Sequence, residues 1–290
     1  MSNDSKIKTK TPGYSEFKPR LLKYLKFIAI GIAVFIAFFP FLWLLLTAFK
    51  SMGDIQSLPP KIIFFPTLDN FRVIMDANFF RYLQNSLILT FSAVSLSMIL
   101  GVPAAFAISR LKIPFSDGIL FFILALRFVP YIVFALPLFL LFVERGWVGT
   151  RYGVVMSYIL INLPLIIWLM KGFFDEIPKE IDEAAEVDGA SRFQIFSRVV
   201  IPCAKPGIAC VLILAFIFTW NEYLFALILA GRHAQPLTVG LTQFLGGIEY
   251  GVRWGALSAW SFSLVFPVVT LSLFVNKYLR RGFTGGGYNK

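Results

Sequence analysis

The sequence predicts an all-α membrane protein with six transmembrane helices, and three observations carry that prediction. Its 290 residues are 58% hydrophobic and 17% aromatic but only 15% charged, which is too little polar surface for a soluble domain. A sliding window of about 19 residues separates six apolar stretches: 27–49, 86–108, 119–143, 153–170, 207–230 and 256–276. Each approaches the roughly 20 residues that a helix needs to cross a hydrocarbon core of about 30 Å. No segment alternates polar and apolar residues as the strands of a membrane barrel do.

The first stretch follows a polar, basic segment and runs into Lys50-Ser51-Met52 without a small-residue cleavage site, so it reads as a retained anchor. Residues 1–20, with Pro12 and Gly13, read as a flexible cytoplasmic segment. The connection 50–82 reads as an external loop ending in a short amphipathic helix over 70–75. A basic turn, 110–117, joins the second and third stretches, and 144–151 joins the third and fourth. Most Lys and Arg residues fall in the N-terminal segment, after the second stretch, between the fourth and fifth, and at the C-terminus. By the positive-inside bias, both termini and the 171–206 connection are cytoplasmic. The net charge of +11 reflects this bias and contact with anionic headgroups, not a nucleic-acid-binding groove. Cys203 and Cys210 read as small buried apolar residues, and the lone His233 as a surface residue.

The 171–206 connection differs in kind. Pro178 suits the first turn of a helix and Gly189 its C-terminal stop. Ser191 and Gln194 have capping-box spacing for a second helix, 192–199, which Pro202 is expected to end. A helix, a sharp bend and another helix cost chain entropy without adding to a membrane core, which points to a contact function. Ile181, Ala184, Ala185 and Asp188 recur at helical spacing on the first helix. The two alanines there leave room for a partner to approach closely.

Glu183-Ala184-Ala185, then Asp188-Gly189-Ala190, continuing to Val199-Val200-Ile201-Pro202, resembles the EAA loop of ABC importer permeases. Val199 and Ile201 are volume-conserving departures from that pattern. The Thr67-Leu68-Asp69-Asn70, Asn85-Ser86-Leu87 and Trp220-Asn221-Glu222-Tyr223 stretches and the glycine-rich tail are similar to the second permease of carbohydrate-uptake importers. The resemblance covers all but the N-terminal 20 or so residues.

It implies a type I importer permease fold in a prokaryotic inner membrane. Residues 21–283 would form the six-span domain, with a cytoplasmic tail at 284–290. It implies a subunit without catalysis of its own that moves a sugar or oligosaccharide by alternating access. Its partners would be a second homologous permease, two cytoplasmic ATPase subunits carrying ATP and Mg2+, and an extracytoplasmic substrate-binding protein. The coupling residues would be Glu183, Ala184, Ala185, Asp188, Gly189, Ala190 and Pro202. The tail, with Thr284, Gly285, Gly286 and Lys290, would reach the ATPases. No P-loop sequence occurs in the chain, so ATP dependence would come from those partners.

Polar residues within the apolar stretches mark either pairing or function. Arg127 and Glu222 are expected to form an ion pair across spans, or else Arg127 or Asn221 lines the path and binds sugar hydroxyls. An exposed Arg127 would also favour an anionic cargo. Trp43, Trp168, Trp220 and Trp260 read as packing or interface residues. A secondary transporter or channel is the alternative, against which stands the lack of paired membrane carboxylates. A membrane protease is excluded by the lack of a Gly-x-Ser-Gly nucleophile motif with a partner His inside a span.

Overall fold

In the computed structural model, residues 17–246 and 251–284 are described along the backbone, and residues 22–246 and 251–272 with their side chains. Every regular element among them is helical. Four helices are long and apolar enough to cross a membrane, or up to six if each of two bent helix pairs counts as one span.

The first long helix, α1 (Phe17–Ala48), begins inside the segment expected to be flexible. It is followed by α2 (Met52–Ile55) and α3 (Asp69–Asp76), the latter matching the predicted amphipathic helix. Asn70 explains why α3 sits where it does. Its amide donates to the carbonyls of Ala48 at 3.0 Å and Lys50 at 2.8 Å, satisfying acceptors that the end of α1 leaves open.

The centre of the molecule is the pair α4 (Phe79–Arg110) and α7 (Arg151–Asp175). They run parallel. Asn85 accepts a 3.0 Å bond from Arg151 at one end, and Ser109 donates to Asp175 at 2.5 Å at the other. Close approach depends on Gly101, where an added Cβ would lie 2.6 Å from the Ile166 side chain.

Between them, α5 (Ser116–Phe128) and α6 (Tyr131–Glu144) meet at 94°. Val129 and Pro130 are both extended at ψ 128° and 127°. The residue before a proline avoids the helical region, and the ring offers no N–H to continue the ladder. The unbroken third stretch of the sequence reading is thus two helices.

After α7 come α8 (Lys179–Val187), α9 (Arg192–Gln194), a π-helical turn (Ile195–Val200) and α10 (Ile201–Cys203). Pro202 does not end this arm as expected. The helix continues through it and turns by 79° only at Ala204. A proline lacks the donor for the preceding turn, and here the wider π turn lies immediately before it.

The fifth stretch is also interrupted. α11 (Lys205–Trp220) stops at Asn221, and α12 (Leu224–Leu229) restarts after Tyr223. The short α13 (Leu237–Gly240) with a following 3-10 turn leads to α14 (Trp254–Thr284). α11 packs on the central pair, α14 packs on α11 and α3, and α1 packs on α14. Trp220 and Trp260 are buried as packing residues, each donating its indole N–H to a carbonyl, of Leu264 at 3.0 Å and Leu237 at 2.8 Å. Cys210 is half-buried, but Cys203 is exposed, contrary to expectation, because it lies on the outer side of the arm.

Candidate functional site

The conspicuous polar feature is the elbow formed by α8 and the α9–α10 arm. Proline opens α8 at the N-cap, and Glu180 and Asp182 occupy its first turn, where the helix dipole favours acids. At its far end, backbone N–H groups of Asp188, Gly189 and Ala190 return to the carbonyls of Ala184, Glu186 and Ala185. Gly189 has φ +81°, and nothing lies within 4 Å of an added Cβ. Glycine is therefore required by the backbone turn and not by crowding. The capping box is complete, Ser191 Oγ accepting from Gln194 N and Gln194 Oε1 from Ser191 N. Arg192 and Glu186 form an ion pair across the bend.

Glu183, Ala184, Glu186, Val187, Asp188 and Gly189 are exposed. Val187 is 89% exposed and Phe193, on the other arm, 75%. Two aliphatic or aromatic groups held in the open beside carboxylates suit a protein contact better than a solvated loop.

The expected shared face of Ile181, Ala184, Ala185 and Asp188 is not formed as a unit. Ala185 and Ala190 pack inward against the core, while Ala184 and Asp188 face out. The inward side of α8 also carries Asp182, which is buried at 7% exposure.

The sequence reading missed what Asp182 meets. Arg110 Nε at the end of α4 lies 2.7 Å from Asp182 Oδ2, with side-chain exposures of 3% and 10%. Its Nη2 also donates to Ile177 O at 2.7 Å. Next to it, Asp175 accepts from Ser109 at 2.5 Å and from Lys171 at 2.6 Å. The aromatic ring of Phe106 lies 6.0 Å from that of Phe174 and 4.9 Å from that of Phe196. The last turns of α4 thus hold both arms of the elbow. In sequence, Arg110 looks like one more topological cation. An acid on the inward side of an otherwise acidic helix was the one available hint of its partner.

A second feature is a cavity of about 340 Å³ lined by Arg127, Tyr131, Phe134, Ser157, Ile161 and Phe225, among others. It opens beside the break between α5 and α6. The expected Arg127–Glu222 ion pair does not form. Arg127 Nη1 donates to Ile161 O at 3.2 Å, and the guanidinium lies 4.8 Å from the Phe218 ring centroid. Glu222 instead accepts from Phe225 N at 3.0 Å and Ala226 N at 3.2 Å, capping α12. Asn221 caps its own helix by donating to Ile217 O at 2.8 Å, and like Glu222 it does not line the cavity. Of Arg127, Asn221 and Glu222, only Arg127 lines the cavity.

At the end remote from the elbow, fully buried Asn85 donates to the carbonyls of His233 at 2.9 Å and Gln235 at 3.0 Å. Ser86 Oγ accepts from Leu237 N at 2.7 Å. These bonds anchor the loop after α12, in which His233 is exposed as expected. Gly285, Gly286 and Lys290 of the expected tail contact lie outside the described residues, and Thr284 is the last residue of α14.

Residues 97–284, which contain the whole elbow, match the family described as binding-protein-dependent transport system inner membrane component. The chain belongs to this family. Among its relatives, the trehalose/maltose transport system permease protein MalG of Thermococcus litoralis is 32% identical over 274 residues, 92% of this chain and 96% of that protein. The sulfoquinovosyl glycerol transport system permease protein SmoH of Agrobacterium fabrum is 30% identical over 282 residues, covering 96% and 97%. A bacterial ABC transporter involved in import of the acidic polysaccharide alginate contains a chain of like structure, with a TM-score of 0.74, 26% identity, and 92% and 99% of the two chains covered.

The family member described here is accordingly a multi-pass inner-membrane permease subunit of an ATP-driven importer, of the carbohydrate-uptake group. The match also settles the choice against a secondary transporter. Broken helices, a mark of that class, occur here too, so the fold by itself does not discriminate.

Proposed function

We propose that this permease moves a sugar or oligosaccharide inward by alternating access as one of two homologous permease subunits, driven by two ATPase subunits, one of which docks at its elbow. The observation that carries the reading is the elbow itself: an exposed acidic helix with bare Val187 and Phe193, locked at Gly189 and joined to the membrane helices from behind. The ATPases hold ATP and Mg2+, and this chain holds no cofactor and performs no catalysis. An extracytoplasmic binding protein delivers cargo at the opposite end.

Six spans, with the bent pair α5–α6 as the third, fit the parallel course of α4 and α7. The chain between two parallel crossings must return to the side from which it started. By the same reasoning both termini lie on the elbow side, which is cytoplasmic by the distribution of Lys and Arg. The tail from Thr284 through Gly285 and Gly286 to Lys290 is then free to reach the ATPases. In this reading residues 1–20 are a cytoplasmic N-terminal segment that runs into α1 at Phe17, 21–283 the permease domain and 284–290 the tail.

The cavity at the broken helix is our choice for the cargo path on this subunit. Arg127 supplies donors for sugar hydroxyls, and Tyr131, Phe134 and Phe225 supply aromatic surface. Relatives named for sulfoquinovosyl glycerol and alginate import keep an anionic cargo open alongside a neutral one. Purification tests the assembly. An ATPase pair is expected to accompany this chain, and uptake is expected to stop with vanadate and survive an uncoupler. Uptake that survives vanadate and stops with the uncoupler would support a secondary transporter.

A further inference from the structure

Of the five ion pairs among the described residues, Arg110–Asp182 has both side chains buried, whereas each of the others has at least one side chain well exposed. Burying two charges is costly unless their remaining hydrogen-bonding groups are satisfied. Here they are not: Arg110 Nε and Nη1 and Asp182 Oδ1 are buried without a hydrogen-bond partner among the described residues. A pair shaped for stability would use both prongs of the guanidinium on both carboxylate oxygens. This one holds Nε against Asp182 as an ion-pair contact without hydrogen-bond geometry, and donates Nη2 to the carbonyl of Ile177, in the turn between α7 and α8.

Arg110 therefore ties three pieces of chain at one point: the end of α4, the turn that leaves α7, and the inward side of α8. We propose that Arg110 and Asp182 form the joint through which displacement of α8 is passed to the α4–α7 pair. Arg110 is a positioning residue in this scheme. The spare donors and acceptor let the pair re-seat as the elbow swings, so neither buried charge loses its partner during the stroke. The joint is the bistable contact that a lever of this kind needs at its fulcrum.

The inference rests on the reading of α8 as the ATPase-docking helix, and its test separates the two. In proteoliposomes holding the full transporter, cargo moved per ATP hydrolysed is measured in the presence of the binding protein. The wild type is compared with Arg110→Gln, Asp182→Asn and the swapped double variant Arg110→Asp with Asp182→Arg. ATPase retention on purification is scored for each.

The single variants are expected to keep their ATPases and lose at least about tenfold in cargo per ATP, and the swapped pair to recover much of that loss. An unchanged ratio in the single variants overturns the joint. A recovery no better in the swapped pair than in the singles also overturns it, since a merely structural need for charge balance would restore protein level without restoring the ratio. Should the single variants fail to insert, Arg110→Lys keeps the charge and loses the fork to Ile177. A reduced ratio in that variant supports the joint, and a wild-type ratio overturns it. Failure of the wild type to retain ATPases is a different outcome, which counts against the docking reading.

Discussion

Gly189 sits at φ +81° with open space around it, so substitution there acts through the backbone alone. Alanine is expected to cost about 1 kcal/mol at the bend, and asparagine less, because its short polar side chain tolerates the left-handed region. Gly189→Asn should thus retain most of the cargo moved per ATP, while Gly189→Leu lowers it with normal insertion. Equal coupling in both variants would mean that the bend angle is irrelevant.

The second residue-scale prediction concerns Arg127 and Glu222. As they are not paired, Arg127→Ala should raise the KM for uptake, and Glu222→Ala should destabilise α12 by about 1 kcal/mol through its lost cap. A double-mutant cycle on stability is expected to give a coupling below about 0.5 kcal/mol. A coupling of several kcal/mol would reinstate the ion pair.

Among the elements, those with local signals were legible in the sequence. Pro178, Gly189 and the Ser191–Gln194 box act within a turn or two of chain, and each lies where its chemistry places it. The breaks at Val129–Pro130 and Asn221–Tyr223 were not legible, because a hydropathy window averages over a single proline at the first and over the isolated Asn221 and Glu222 at the second. Equally hidden were partnerships between distant parts of the chain. Arg110 reaches Ile177 over a separation of 67 residues, and Asn85 reaches His233 over 148. Nothing in the local pattern of either residue names its partner.

Phe106 tests the packing at this scale. It is 8% exposed and touches both the α7 end and the π-helical turn. Phe106→Ala should cost about 3–5 kcal/mol and lower the thermal midpoint in detergent. A loss below about 1 kcal/mol would show that the elbow is not seated on α4.

Across the whole molecule, the central α4–α7 pair spans from the Asn85 anchor at one end to the elbow at the other, with the cavity and the broken helix between them. α1 leaves Phe27, Phe35, Ile36 and Phe38 exposed, consistent with lipid or a second permease covering them. The family match, residues 97–284, covers the elbow together with the second half of α4 and all of α7. On the proposed function, an ATPase sits on the tip of that elbow. Val187, 89% exposed at the tip, is the place to test it by cross-linking. With Cys203 and Cys210 replaced by serine, Val187→Cys should form a short-range adduct with a copurifying ATPase subunit, in a yield that changes with nucleotide. An intact, transporting complex in which that cysteine never cross-links to an ATPase, with or without ATP, would contradict the account.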